Sequence, residues 1–412
     1  MSYKSDFLNE INSRGFIYQH SDIDQLDNIM FKKKITAYIG FDITSDSLHV
    51  GSLVQLMLLH WLDEFGHNPI ALMGGGTTLI GDPSGKDETR KILEIESIEN
   101  NIKKIKNTFG KFINLNKNAK IINNYEWLSN INYVSFLREV GSKITINKML
   151  TFESVKNRLD REQPLTFLEF NYMLLQAYDF YHLNINHDCE LQMGGSDQWG
   201  NIISGIELIR KMNSKKAFAI TSPLITNNDG SKMGKTVDGA IWLDEENLKN
   251  YDFYQFWRNI NDTDVSKFLL LFTKLPISEI NKLSELKGKE INVAKEILAY
   301  EVTKISRGVE QAVEASDISK NIFKKKIIDD RASSITIKSK ELTDLKFSLI
   351  DAIESLNLVT SRSEIKRLIK SNSVKVNDKK YNLNDFSLSN FADKKEIKIS
   401  VGKKKIGVVK LT

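Results

Sequence analysis

One histidine, one glycine and two lysines, set in two short clusters nearly two hundred residues apart, are the side chains here best suited to chemistry. The first cluster is Asp42-Ile43-Thr44-Ser45-Asp46-Ser47-Leu48-His49-Val50-Gly51-Ser52, and the second is Gly230-Ser231-Lys232-Met233-Gly234-Lys235-Thr236. His49 stands where a loop turns into a helix. Helix N-termini carry free N–H groups and a partial positive charge, both suited to phosphate. Gly51, having no side chain, lets a base or ribose lie against the helix backbone. Lys232 and Lys235 place two ammonium groups on a glycine-containing loop that can close over a triphosphate. Either cluster by itself also reads blandly, as a capping histidine beside a packing glycine or as solvated surface. Their conjunction points to nucleotidyl transfer.

The elements that must position these residues are legible as patterns. Ile35 to Phe41 reads as a buried strand. Val50, Leu53, Val54, Met57, Leu58, Trp61, Leu62 and Phe65 then recur at helical spacing and predict one apolar helix face. Gly66 closes that helix, and Pro69 to Met73 is the next strand. A second strand–glycine–helix passage runs from Cys189 to Met193, through Gly194-Gly195, to Asp197–Arg210. Two such halves predict an α/β fold, a Rossmann-like doubly wound parallel sheet with ligands at the strand C-termini. The stretch from Glu94 to Gln163 mixes helical segments, and Asn247 to Ile322 is helical. Beyond Leu345 comes a small α+β unit, in which Ser361-Arg362-Ser363-Glu364 reads as a capping box before a helix burying Ile365, Leu368 and Ile369.

Length and composition set the outer bounds. At 412 residues the chain exceeds the roughly 250–300 residues of a single core. Its 41% hydrophobic and 27% charged content is that of a soluble protein. No apolar run approaches a membrane span, and the N-terminus lacks the apolar core of a signal peptide. Cys189 is the only cysteine, which excludes an internal disulfide and a Cys-rich zinc site. A cytoplasmic location with no membrane partner is expected. From Lys346 onward 15 Lys and Arg face 7 Asp and Glu, a balance of +8 in a chain whose total is +5. A near-neutral body with a basic tail suggests a small-molecule site joined to a polyanion-binding module.

Two further patterns bear on the site. The run from Gly74 to Lys86 is glycine-rich and follows a strand, but Asp87 stands where a P-loop needs Ser or Thr. Tyr172, Gln176 and Asp179 fall at i, i+4 and i+7 of the mostly apolar helix Phe167 to Leu183, a polar row that faces either water or a pocket.

The two clusters resemble the HIGH and KMSKS signatures of class I aminoacyl-tRNA synthetases. Tyr38-Ile39-Gly40-Phe41-Asp42, Gln176-Ala177-Tyr178-Asp179 and Gln192-Met193-Gly194-Gly195-Ser196-Asp197-Gln198-Trp199-Gly200-Asn201 closely resemble the bacterial tyrosyl-tRNA synthetase family. The similarity runs from about Tyr38 to Asp244 and resumes in the tail. There Ser361 to Ile369 and Val374 to Asn377 resemble an S4-type RNA-binding domain.

The resemblance implies a tyrosine–tRNA ligase that makes tyrosyl-adenylate and pyrophosphate from tyrosine and ATP, then loads the 3′-terminal ribose of tRNA(Tyr). It implies that Tyr38 and Asp179 hydrogen-bond the substrate's phenol, that Asp82, Tyr172 and Gln176 hold its ammonium group, and that Gln192 and Gln198 line the same pocket. Gly40, Asp42, His49, Gly51, Ser52, Gly194, Asp197, Lys232, Met233, Lys235 and Thr236 would receive ATP. His49 and Thr44 would act from the helix side and Lys232 and Lys235 from the loop, with Lys86 and Arg90 as helpers. Mg²⁺ would accompany ATP, with no protein-bound zinc or other metal site. RNA would be held by Arg362, Lys366, Arg367, Lys370, Lys375, Lys403, Lys404 and Lys405. The working form would be a homodimer.

The implied organisation is a catalytic domain at 1–226, a KMSKS-type loop and connection at 227–246, and a helical anticodon-side domain at 247–323. A linker at 324–344 and an S4-like domain at 345–412 would complete it. The chain departs from the family pattern at Ser52, where a second histidine is common, and at Ile39, where cysteine is frequent. Tryptophanyl-tRNA synthetases share the fold and lack the Tyr38/Asp179 pair. A metabolite nucleotidyltransferase would have no use for the tail, and an RNA-binding paralogue without catalysis no use for an intact pocket.

Overall fold

Short apolar strands, each followed by a helix, build one sheet whose covered faces account for the near-continuous hydrophobic runs. The computed structural model describes residues 2–82, 93–226, 233–236, 239–324, 333–343, 347–380, 388–402 and 405–412. These form two compact units, one of 1–248 with 261–308 and one of 249–260 with 309–412. Residues 247–323, read from the sequence as a single helical segment, are thus shared between both.

In the first unit the strands are β1 (Gln19–His20), β2 (Thr36–Asp42), β3 (Asn68–Gly74), β4 (Lys120–Asn123), β5 (Cys189–Gly195) and β6 (Phe218–Ser222). They lie in the order β1-β6-β5-β2-β3-β4. Every neighbouring pair is parallel except β1 with β6. The chain leaves β2 outward through β3 to β4, then returns to the other side of β2 as β5 and β6. Strand order therefore reverses between β2 and β5, where diverging connections leave a crevice. Tyr38 on β2 is in register with Ile70 on one side and Gln192 on the other.

A short 3₁₀ turn, Val50–Ser52, leads from His49 into α1 (Leu53–Glu64). The sequence pattern predicted a one-faced helix, but α1 is buried almost all round. Leu56, Leu59 and His60 are covered as well as the expected face, and the helices Asp6–Ser13 and Val265–Phe272 pack against α1.

Helix α2 (Phe167–His187) opens with a reciprocal capping box between Thr166 and Glu169. Glu169 also receives Arg158 in a buried ion pair of 3.1 Å. The helix stops at Asp188 in the left-handed region, φ 47°. It packs against α3 (Trp199–Asn213) at Gly205. A Cβ at Gly205 would stand 2.9–3.0 Å from the Phe180 side chain, so the two helices approach as closely as a missing side chain allows.

The second unit carries a five-stranded sheet of β7 (Ser334–Ile337), β8 (Val374–Val376), β9 (Lys379–Lys380), β10 (Glu396–Val401) and β11 (Lys405–Leu411), ordered β9-β8-β10-β11-β7. Its core includes Leu349, Ile353, Ile365, Ile369, Val374 and Ile397. Helix α4 (Arg362–Lys370) buries Ile365 and Ile369 and half-buries Leu368. The expected capping box does not form there: Ser361 makes no side-chain cap bond. Its hydroxyl pairs with that of Ser363, 2.8 Å away, while Glu364 leans toward Arg367 at 3.7 Å. The reciprocal box in this unit lies instead between Ser348 and Asp351. Among the described residues no helix is long and apolar enough to cross a membrane.

Candidate active site

The crevice between β2 and β5 opens into a cleft of about 320 Å³. Its walls come from the C-terminal halves of those strands, the turn at His49, one face of α2 and the start of α3. Such a volume suits a small ligand with few convergent polar groups.

At the deep end the polar groups converge on an uncompensated spot. Tyr38 is 1% exposed. Among the described residues its hydroxyl oxygen has no hydrogen-bond partner, and neither have Gln176 Oε1 and Gln192 Oε1. Gln55 Oε1, on another wall of the cleft, is a fourth such atom. Buried polar atoms without partners are costly, so their gathering in one cleft marks where polar ligand groups belong. Asp179, equally buried, accepts from Asn124 Nδ2 at 2.9 Å and from Trp127 Nε1 at 2.8 Å. Burial pushes its carboxyl up to about 7, against the downward pull of those two donors. Burial, and then the neighbouring Asp179, hold the Tyr38 phenol well above its ordinary range. Asn124 is itself locked: it also donates to Thr77 Oγ1 at 3.0 Å and accepts from Gly76 N–H at 2.7 Å.

Toward the mouth, the Tyr172 hydroxyl donates to Asp42 Oδ1 at 3.2 Å. Gln198 Nε2 donates to Asp82 Oδ2 at 2.9 Å, and Gln198 Oε1 accepts from Asn201. The polar row Tyr172, Gln176 and Asp179 therefore faces the cleft rather than water. Beside Gly40 a Cβ would meet nothing within 4 Å, which leaves open space against bare backbone. At Gly195 a Cβ would lie 2.7 Å from Asp197 Oδ1, so a larger residue would force that carboxylate to shift.

At the mouth the two clusters meet. His49 Nδ1 accepts from Gly51 N–H at 3.0 Å, so the neutral ring carries its proton on Nε2, the atom able to donate to an oxyanion. Gly234, at φ +97°, lies directly on this turn: a Cβ there would be 3.1 Å from both His49 Nδ1 and Gly51 N. A Cβ on Gly51 would in turn lie 2.6 Å from His49 Cε1 and 3.0 Å from Met233 O. Met233 lines the cleft and donates its N–H to Ile225 O at 2.8 Å. Glycine is required on both sides of the contact.

The cleft thus gathers Tyr38, Gly40, Asp42, His49, Gly51 and Ser52, with Asp82, Tyr172, Gln176, Asp179 and Gln192. Gly194, Asp197, Gln198 and Met233 complete the expected set found there. Thr44 is exposed and does not line it. The turn after β2 carries the Thr44 side chain outward, while Ile43 beside it is buried. Lys86, Arg90, Lys232, Lys403 and Lys404 lie outside the described residues, as do the side chains of Lys235 and Thr236. Asn124, Trp127, Thr77 and Gln55 line or brace the site without having been singled out in the sequence. The one signal for Asn124 is an amide directly after an apolar strand.

In the second unit Lys366, Arg367 and Lys370 are exposed on α4, and Lys375 and Lys405 are exposed on the sheet. Arg362, on the same helix, is engaged by Glu354 at 2.8 Å and by Asp351.

A doubly wound sheet with a ligand-sized cleft at its switch point defines an α/β protein of the kind that takes small ligands there, and comparison with known proteins narrows that class. The family profile described as tRNA synthetases class I (W and Y) matches residues 30–324. A tyrosine–tRNA ligase of Xanthobacter autotrophicus is 49% identical over 412 residues, covering 98% of this chain and 97% of the relative. That of Agrobacterium fabrum is 47% identical over 410 residues, covering 98% of each. A C-terminally truncated mitochondrial tyrosyl-tRNA synthetase of Aspergillus nidulans superposes with a TM-score of 0.70 at 29% identity, covering 77% of this chain and 94% of that one. The chain belongs to the class I tRNA synthetases of the tryptophan and tyrosine type.

Proposed function

We propose that this chain activates tyrosine with ATP and joins it to the 3′-terminal ribose of tRNA(Tyr). The observation that carries the reading is the partnerless Tyr38 hydroxyl facing the same buried end of the cleft as Asp179. A phenol placed there accepts from Tyr38 and donates to Asp179. An unsubstituted ring would leave the buried Tyr38 hydroxyl without a partner and give Asp179 no donor beyond Asn124 and Trp127, which is how the site would reject phenylalanine. Tryptophan has no hydroxyl to place between them.

In the first step a carboxylate oxygen of tyrosine attacks the α-phosphorus of ATP, the bond to the bridging oxygen breaks, and pyrophosphate departs. No protein nucleophile is needed, so the contribution of the chain is positioning and stabilisation of charge on phosphate oxygens. His49 Nε2 would donate to that developing charge, with Lys232 and Lys235 closing from the loop. Gly40 would leave room for the adenosine, with Gly194 beside it in the cleft, and Asp82, Tyr172 and Gln176 would face the substrate's ammonium group. In the second step the ribose hydroxyl attacks the activated carbonyl and AMP leaves. Mg²⁺ would arrive as the counter-ion of the triphosphate. Among the described residues no group of three or more His, Cys, Asp or Glu is arranged to hold a metal.

The exposed cations of α4 and its neighbouring strands support tRNA binding by the 345–412 region, with 247–323 toward the anticodon. Helices that share one apolar core carry exposed Tyr133, Val134, Ile146 and Phe167. That surface supports association with a second copy, hence a homodimer.

The test is tyrosine-dependent ATP–pyrophosphate exchange in the presence of competing tryptophan, followed by charging of purified tRNA. Exchange should follow tyrosine alone, and His49→Ala should slow it by about 10²–10³-fold, the scale of losing one transition-state donor. Exchange driven by tryptophan, or an unchanged rate in the variant, would overturn the assignment.

A further inference from the structure

The segment that follows the second cluster is tied to the first by its backbone. Ile241 O accepts from Val50 N–H at 2.9 Å, and Leu243 N–H donates to Leu48 O at 2.8 Å. Trp242 forms an antiparallel bridge with His49, their rings 6.4 Å apart and edge to face. Asp244 N–H reaches Ser47 Oγ at 3.2 Å, and Ile241 N–H returns to Gly234 O at 3.0 Å. Residues 47–50, 241–244 and Gly234 are therefore one small ribbon.

Ile241 O faces the His49 segment, whereas the Trp242 and Asp244 carbonyls accept from a different element. Both are taken by one side chain: Arg307 Nη2 donates to Trp242 O at 2.9 Å and Asp244 O at 3.4 Å, while Nη1 donates to Leu248 O. Arg307 is the last residue of the helix Ile291–Arg307 and is 6% exposed. Its rigid fork fills the place of a missing neighbouring strand.

We infer that Arg307 is a positioning residue for His49: it fixes the outer edge of the ribbon whose inner edge holds the imidazole at the cleft mouth. This rests on the nucleotide-site reading above. The tyrosine end of the cleft hangs from other elements, β2, β5 and α2, so loss of Arg307 should be felt at the nucleotide end alone.

The experiment compares parent, Arg307→Met and Arg307→Lys by pyrophosphate exchange, with ATP and tyrosine affinities measured by calorimetry. Arg307→Met should lose about 10–100-fold in kcat/KM for ATP while tyrosine affinity stays within about twofold, the scale of misplacing a catalytic group by an ångström. Arg307→Lys, which restores charge without the fork, should fall between. Parent-like ATP kinetics in Arg307→Met, or tyrosine and ATP binding falling in equal proportion, overturns the inference. Should Arg307→Met not fold, Arg307→Gln, which loses the charge and the fork but keeps an amide donor, takes its place, and parent-like ATP kinetics there count against the inference. A parent that binds ATP without exchange, with ATP binding lost in Arg307→Met, would overturn the ligase reading and leave this one standing.

Discussion

At the scale of single residues, the balance at Asp179 decides how the cleft responds to pH. Two donors grip its carboxylate, yet burial outweighs them and lifts the group from 3.8 to about 7. Between those values the folded chain keeps a proton that the unfolded chain has released. This residue alone therefore makes the fold less stable as pH rises from about 4 to about 7. Ligand binding should run the other way. The ionised carboxylate is the form that accepts a phenolic proton while Asn124 and Trp127 still donate to it. Tyrosine affinity is expected to rise as pH climbs through about 7, and Asp179→Asn should flatten that dependence along with weakening binding. Calorimetric titration at several pH values reads both, and a flat profile in the parent would refute the role. Tyr38 does not titrate in this range, since burial and Asp179 both raise its phenol.

At the scale of elements, the contact between α2 and α3 sets the shape of the tyrosine end. Tyr172, Gln176 and Asp179 all ride on α2, and Gly205 of α3 is what lets Phe180 of α2 seat. Gly205→Val should push the helices apart, lower stability by about 1–3 kcal/mol, the usual cost of overpacking, and weaken tyrosine binding more than ATP binding. Urea denaturation with paired calorimetry would check this, and equal loss of both affinities would contradict it. The strands, their glycine-marked ends and the polar row on α2 were legible in the sequence, because each repeats a local period. The full burial of α1 was not. Leu56 and Leu59 fall outside the periodic face yet are buried, and a helix that packs against α1, Val265–Phe272, comes some two hundred residues later in the chain. Asn124 and Arg307 escaped for the same reason: each is one residue without periodicity, and its partners lie 47–55 and 59–65 positions away. The box at Ser361 shows the converse error, a correct local signature that a competing Ser361–Ser363 contact displaces.

At the scale of the whole molecule, the described residues lining the cleft belong to the first unit. The exposed cations proposed to grip RNA belong to the second. Removal of residues 345–412 should therefore leave adenylate formation within about threefold of the parent while abolishing tRNA charging, since phosphate neutralisation dominates such binding. Exchange and charging measured on one preparation would decide it. Loss of both together would give the tail a structural role instead. Within α4, Arg362 differs from Lys366 and Lys370, because Glu354 and Asp351 already engage it.

The ribbon that joins His49 to Trp242 also sets a clock for biosynthesis. An emerging polypeptide exposes the histidine early, then must wait for nearly two hundred further residues before the pairing segment leaves the ribosome. At about 5–20 residues per second that interval is roughly 10–40 s. Arg307, which pins the outer edge, arrives later still. A partly made chain therefore owns the histidine but no finished mouth, and premature termination anywhere before the mid-240s should release fragments unable to bind nucleotide.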